Sequence, residues 1–285
     1  MPRAKLNYVL RLIAGLASAA PLAAATAPPQ ECRGEAIDIG GLSLWAELAG
    51  AGAVTVVFET GNGADSSVWT EIAAQVRATG VRTFLYDRAG TGRSDPDPHP
   101  YAIDHEAEAL RLLLARCGIG GPVILTAHSY GGFISQVLAA SGRRRDAFRI
   151  AGLVLVDANI PEFFTTAEVD AILARYRPQY DALRQQAPEL AATIVPILEA
   201  YPATVERMRR VRLPSRLPVI DIYAEHSWAE TEESATAMRQ AHLAFAAVGR
   251  RRESVYAPGS SHQVMRDRPD LVLAAIAKAV ARAGT

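Results

Sequence analysis

The chain has 285 residues, 49% of them hydrophobic, and its thirty basic side chains equal its thirty acidic ones. That length and apolar content can bury a core in one large domain or two small ones. The charge balance argues against nucleic acid as a partner, because no basic field is left over to neutralise phosphates.

At the start of the chain, Arg3, Lys5 and Arg11 precede an apolar stretch over residues 12–20 and a small-residue run ending Ala23-Ala24-Ala25. This is the pattern of an export signal over residues 1–25, cleaved after Ala25. Pro21 interrupts the stretch, which is shorter than the ~20 residues a membrane span needs, so no membrane anchor is expected after cleavage. The mature chain is expected in the periplasm or outside the cell. Two cysteines, Cys32 and Cys117, remain there. They read equally as one disulfide, whose long loop would contribute ~4 kcal/mol, or as two separate thiols with Cys117 buried at a helix end.

Residues 35–39 and 42–48 read as a hairpin joined at Gly40-Gly41. Strands are then expected over residues 54–58, 82–86, 123–126, 153–156, 219–223 and 253–256, most of them nearly continuous in Val, Ile, Leu and aromatics. Such runs suit a parallel sheet covered on both faces. Helices are expected between and after them, over residues 66–77, 104–117, 130–140, 232–248 and 269–283. The alternation implies a doubly wound α/β fold with right-handed crossovers. The arginine clusters at 143–145 and 250–252 follow expected helices and read as solvated helix ends. Residues 160–213 hold no convincing strand and read as an inserted helical cap on a core of residues 26–159 and 214–285. Its aromatics, Phe163, Phe164, Tyr176, Tyr180 and Tyr201, fit either an apolar substrate pocket or the cap's own core.

The segment Ala127-His128-Ser129-Tyr130-Gly131-Gly132 lies directly after one expected strand and before a helix. A serine on so sharp a turn has strained backbone angles and needs small neighbours two positions either side, which is the context of a nucleophile elbow. The N–H of Tyr130, at the helix start, would face the oxyanion of a tetrahedral intermediate.

On this elbow the chain resembles the α/β-hydrolase superfamily from about Gly41 to its end, departing from it at Ala127, where the family usually has glycine. The resemblance places an oxyanion loop at Phe58-Glu59-Thr60-Gly61-Asn62-Gly63, with the Asn62 N–H as second donor. It also matches Tyr86-Asp87-Arg88-Ala89-Gly90-Thr91-Gly92-Arg93-Ser94-Asp95 to a glycine-rich turn, which reads as structural. His262, after the last strand, stands where the family carries its general base. Among the other histidines, His99 and His105 lie in a polar loop region, His242 in a helix and His226 past a strand, while His128 is expected to point away from the site. The usual acid position, after the strand over 219–223, holds Ser227. The acid is therefore expected at Asp157, as in relatives that carry it one strand earlier, with Glu225 as the alternative.

A serine nucleophile, where relatives that open epoxides or displace halide use aspartate, implies acyl transfer to water. The expected activity is hydrolysis of a carboxylic ester or related acyl bond in a small-molecule substrate. A lactonase or peptidase of the same fold, and a catalytically inactive binding protein on it, are the alternatives. No cofactor is implied. No cluster of Cys, His or carboxylates shows metal-ligand spacing, and no phosphate-cradling loop occurs.

Overall fold

The structure, a computed structural model, describes residues 31–142, 145–229 and 231–284. The expected export signal and the first two arginines of the 143–145 cluster lie outside these residues.

The chain opens with β1 (Arg33–Asp38) and β2 (Ser43–Ala49), an antiparallel hairpin. Its turn is made by Gly40 and Gly41 at φ of 115° and 95°, conformations open to glycine, and the Asp38 carboxylate accepts from both glycine N–H groups. Next come β3 (Thr55–Glu59), α1 (Thr70–Ala78), β4 (Arg82–Tyr86), α2 (Ile103–Arg116), β5 (Gly121–His128), α3 (Gly131–Ala140) and β6 (Phe148–Val156). Between β6 and the next strand lie α4 (Thr166–Tyr176), α5 (Tyr180–Gln186), α6 (Pro188–Glu199) and α7 (Tyr201–Met208), where the cap is expected. The chain closes with β7 (Val219–His226), α8 (Glu232–Ala247), β8 (Arg252–Ser261), α9 (Val264–Asp267) and α10 (Pro269–Ala283). Thr165 and Thr231 cap α4 and α8 by accepting from the N–H groups of Glu168 and Ser234.

One eight-stranded sheet runs in the order β1-β2-β4-β3-β5-β6-β7-β8, parallel from β4 onward and antiparallel at the hairpin edge. This is the doubly wound, mostly parallel α/β architecture that the alternation implies. Successive residues of each central strand enter opposite cores, as the two-residue pleat requires. Val123 and Leu125 pack with α2 and α3, while Ile124 packs with α1 and α10. Because the order reverses around β3 and β5, the loops leaving their carboxyl ends diverge and leave a crevice, the usual ligand position in open α/β sheets. Among the described residues no helix is long and apolar enough to cross a membrane.

Of the two readings of the cysteines, the structure has the disulfide. Cys32 and Cys117 are bonded across a sequence separation of 85 residues, with Cα atoms 5.5 Å apart. The bond fastens the start of β1 to the end of α2, and a loop of that length corresponds to about 4 kcal/mol in the chain-entropy account.

Candidate active site

Ser129 stands between the last residue of β5 and the start of α3, with φ at 52°, in the left-handed region that a side chain adopts only when its surroundings impose it. Its carbonyl accepts from Gly132 at 3.0 Å and from Asn159 at 2.8 Å, so the turn is tied both to its own helix and to the segment after β6. Gly131 allows the oxyanion loop to approach, since a Cβ there would lie 2.4 Å from the carbonyl oxygen of Thr60. Ala127 brings no such conflict: its methyl is buried in the core on the side of α2 and α3.

His262 follows β8 directly, and Asp157 follows β6 with φ at 40°, a left-handed angle that aspartate tolerates better than most residues. The His262 Nδ1 lies 2.6 Å from Asp157 Oδ2. An ionised carboxylate only accepts, so Nδ1 carries the proton and, in the neutral ring, Nε2 keeps its lone pair. Asp157 is buried and also accepts from Ser227 Oγ at 2.5 Å and from the Ala224 N–H at 3.0 Å. Burial alone would raise its pKa. The hydrogen bond and charge of His262, the charge of His242 and the Ala224 N–H outweigh it and hold the carboxyl below its ordinary value.

The two acid candidates are therefore separated by geometry. Glu225 is bound to the Gly259 N–H at 2.6 Å, on the exposed side of β8, and makes no bond to His262. The serine at the usual acid position is not idle, because the Ser227 hydroxyl donates to the carboxylate that reaches the same place from the neighbouring strand. Among the described residues no hydrogen bond joins Ser129 Oγ to His262; such bonds are often loose before substrate binds.

His128 corrects the expectation that it points away. Its ring lies 4.4 Å from that of His262, and its Nε2–H donates to the His262 carbonyl at 2.9 Å. Burial, then the charge of His262, pushes its pKa down to about 3, so it stays neutral and acts as a fixed donor. Asp267 supports the same loop by accepting from the N–H and hydroxyl of Ser261.

The loop after β3, where one oxyanion donor is expected, is held from beneath by Arg88, a residue that the sequence pattern assigns only to a structural turn. Its guanidinium donates to the Thr60 carbonyl at 2.6 Å, to the Gly61 carbonyl at 2.7 Å and to Glu59 at 2.8 Å. The Gly61–Asn62 peptide is trans, so a carbonyl pulled toward Arg88 turns the Asn62 N–H the opposite way. The Tyr130 N–H lies at the amino end of α3, where helices have no internal acceptor. Glu59 and Arg88 are a buried ion pair, and Tyr86 adds a short hydrogen bond to Glu59. Burial raises the Glu59 carboxyl above its ordinary value, against the pull of Arg88. The rest of the glycine-rich turn is structural as expected: buried Asp87 accepts from Ser66 and Arg93.

Ser129, Asn62 and Tyr130 open on a cavity of about 610 Å³ whose other walls include Tyr176, Tyr180, Leu183, Leu198 and Tyr201 of helices α4 to α7. The aromatics of residues 160–213 thus divide. The three tyrosines line the cavity, whereas Phe163 and Phe164 pack with Trp228 and Phe133 in the core. Within the cavity, Asn62 Oδ1 is buried with no hydrogen-bond partner among the described residues. Elsewhere in the fold, Asp97, His99 and His105 bring ligand atoms within 4.8 Å of one another.

The model of the alpha/beta hydrolase family matches residues 56–275, and the chain belongs to that family. The uncharacterized protein YqjL of Bacillus subtilis is 32% identical over 108 residues, which are 38% of this chain and 41% of YqjL. The chain thus spans about two fifths of that relative's length. Among solved structures, a thermophilic esterase from Thermogutta terrifontis superposes with a TM-score of 0.57 at 20% identity, covering 86% of this chain and 96% of the esterase. The enol-lactonase from Burkholderia xenovorans gives a TM-score of 0.57 at 20% identity, with 87% and 100% covered. At such identities the likeness establishes the fold.

Glu106, in the first turn of α2, gives the cluster around Arg88 a measurable pH signature. Burial pushes its carboxyl up to about 7 from an ordinary 4.5, against Arg88 and with help from Glu59 and Asp97. Between those pH values the folded chain holds a proton that the unfolded chain has released, so stability falls as pH rises and levels off above about 7. Urea unfolding at pH 5 and pH 8 is expected to show a fall that Glu106→Gln reduces by up to about 3 kcal/mol. Equal falls in the two proteins would contradict the assignment.

Proposed function

We propose that the chain is an exported serine hydrolase that cleaves a carboxylic ester, or a chemically related acyl bond, through an acyl-enzyme on Ser129. The observation that carries this reading is the buried Asp157 bonded to His262 Nδ1 at 2.6 Å, on the same sheet edge as a left-handed Ser129 that opens on a largely apolar cavity. His262 Nε2 takes the proton of Ser129 as Oγ attacks the acyl carbon, and the N–H groups of Asn62 and Tyr130 receive the oxyanion. The tetrahedral intermediate collapses, the C–O bond to the alcohol breaks, and the alcohol leaves with the proton from His262. Water, deprotonated by the same nitrogen, then attacks the acyl-serine, and the acid and free serine are released.

Asp157 keeps the imidazole in the required tautomer and stabilises its cation. The helical insertion shapes the acyl or alcohol pocket, so specificity resides there and the chemistry on the strand ends. The esterase and the enol-lactonase among the structural neighbours agree with ester and lactone substrates. No cofactor enters the proposed steps.

A chromogenic ester assay tests the assignment, with Ser129→Ala expected to abolish turnover in a folded protein. Asp157→Asn should lower kcat by roughly three to four orders of magnitude, as loss of the correct histidine tautomer does in the serine-triad template. Glu225→Gln should cost less than roughly tenfold, as a surface group. A steep fall for Glu225→Gln with little change for Asp157→Asn would reassign the acid. Full activity in Ser129→Ala would remove the serine mechanism, and no turnover of any ester by the wild type would favour a binding role.

Export rests on the leader composition of residues 1–25, and the Cys32–Cys117 disulfide agrees with an oxidising compartment. The exported form is expected to begin near Thr26. N-terminal sequencing that finds Met1 in the soluble exported fraction would overturn this.

A further inference from the structure

A second cavity, of about 340 Å³, lies apart from the one that holds Ser129, between the loop after β4, the start of α2 and helix α6. Three of its lining residues are Asp97, His99 and His105, and their ligand atoms lie within 4.8 Å of one another. His99 Nδ1 is 2.9 Å from Asp97 Oδ1, and His105 Nδ1 is 3.4 Å from Asp97 Oδ2. Zinc–ligand bonds of 2.0–2.1 Å place tetrahedral ligand atoms roughly 3.4 Å apart, so the two separations from Asp97 are near those around an ion, and the imidazoles, within 4.8 Å of one another, need only close in.

The local chain favours that arrangement. His99 sits between Pro98 and Pro100, whose rings fix φ and limit the conformations that the loop can explore. The His99 N–H donates to Asp97 Oδ1 at 2.8 Å, which fixes the carboxylate against the loop. His105 is carried by the first turn of α2, whose start is anchored by the buried Ile103. The two imidazoles meet edge to face, with centroids 5.2 Å apart, so both rings already converge on one carboxylate. Glu189 opens on the same cavity and adds an acidic side chain beside the cluster.

The geometry points to a binding site for a divalent transition-metal ion of the Zn²⁺ class, held by Asp97, His99 and His105, with its remaining coordination open to the second cavity. Two imidazoles and one carboxylate suit Zn²⁺, Ni²⁺ or Cu²⁺, whereas Mg²⁺ and Ca²⁺ prefer oxygen alone. The ion would take the place of the ring protons that face Asp97, and the two ring nitrogens would bind it through their lone pairs. It would clamp the loop after β4 to α2, beside Arg88, which lines the same cavity and holds the oxyanion loop.

The test is calorimetric titration of tag-free, EDTA-dialysed protein with Zn²⁺ and, separately, with Mg²⁺. Wild type is expected to bind one Zn²⁺ and to show no Mg²⁺ response. His262→Ala should bind Zn²⁺ equally, which separates the cluster from the histidine beside Ser129. In His99→Ala/His105→Ala, binding should weaken by more than about a hundredfold, beyond what changes behind a metal's direct ligands cost. His99 is mostly exposed and His105 partly so, and circular dichroism checks that the variant is folded. Absence of Zn²⁺ binding by wild type, or equal affinity in the double variant, would overturn the site. Ester hydrolysis plays no part in this readout, so failure here leaves the reading of Ser129 standing.

Discussion

Asp157 is a carboxylate with almost no access to water, placed by its own strand at the carboxyl end of the sheet where three loops meet. A buried charge is tolerated only if donors replace the solvent it has lost, and each of its three comes from a different place. Ala224 supplies a backbone N–H from β7, Ser227 a hydroxyl from the loop beyond it, and His262 an imidazole from the end of β8. The Asp157 N–H in turn bonds to Ile222 at 2.7 Å. The order β6-β7-β8 is therefore a condition for the charge to be there, and the charge fixes the orientation of the histidine. Neutral His128 presses on the other side of that histidine's loop, so the ring is positioned from two directions.

The opposite wall of the site uses a buried charge in another way. Arg88 holds two consecutive carbonyls of the loop after β3, and Glu59 lies beneath it to balance the guanidinium. Glu59 fits this arrangement, because its side chain faces inward to Arg88 and Tyr86. The catalytic face would then be left with backbone N–H groups only. Such groups stabilise an oxyanion without titrating themselves.

Much of this was legible in the sequence, and the parts that were not share physical reasons. Apolar runs marked the central strands and the Gly40-Gly41 turn the hairpin, but β5 begins earlier than expected at Gly121-Pro122 and β8 runs on through Pro258-Gly259, residues that normally end strands. The elbow around Ser129 could be read because strand, serine and glycines are contiguous. Asp157 was distinguishable from Glu225 only by position along the chain, and its bond to His262 spans 105 residues. Arg88, His128 and Ser227 were missed as parts of the site because each acts through partners that are remote in sequence. A serine at the usual acid position was the available signal for Ser227. The proximity of Asp97, His99 and His105 depends on how a proline-bounded loop folds against α2, which their order in the sequence does not show. The disulfide could not be decided without knowing where β1 lies relative to the end of α2.

The central claim is that this constellation forms an acyl-enzyme on Ser129. Mixing the protein with an activated ester, quenching in acid within the first turnovers and mapping peptides by mass spectrometry tests it most directly. The account expects one acyl equivalent on the peptide that carries Ser129, decaying as hydrolysis completes. An acyl group on another residue, or continued hydrolysis by Ser129→Ala with no covalent adduct at any time, would contradict it.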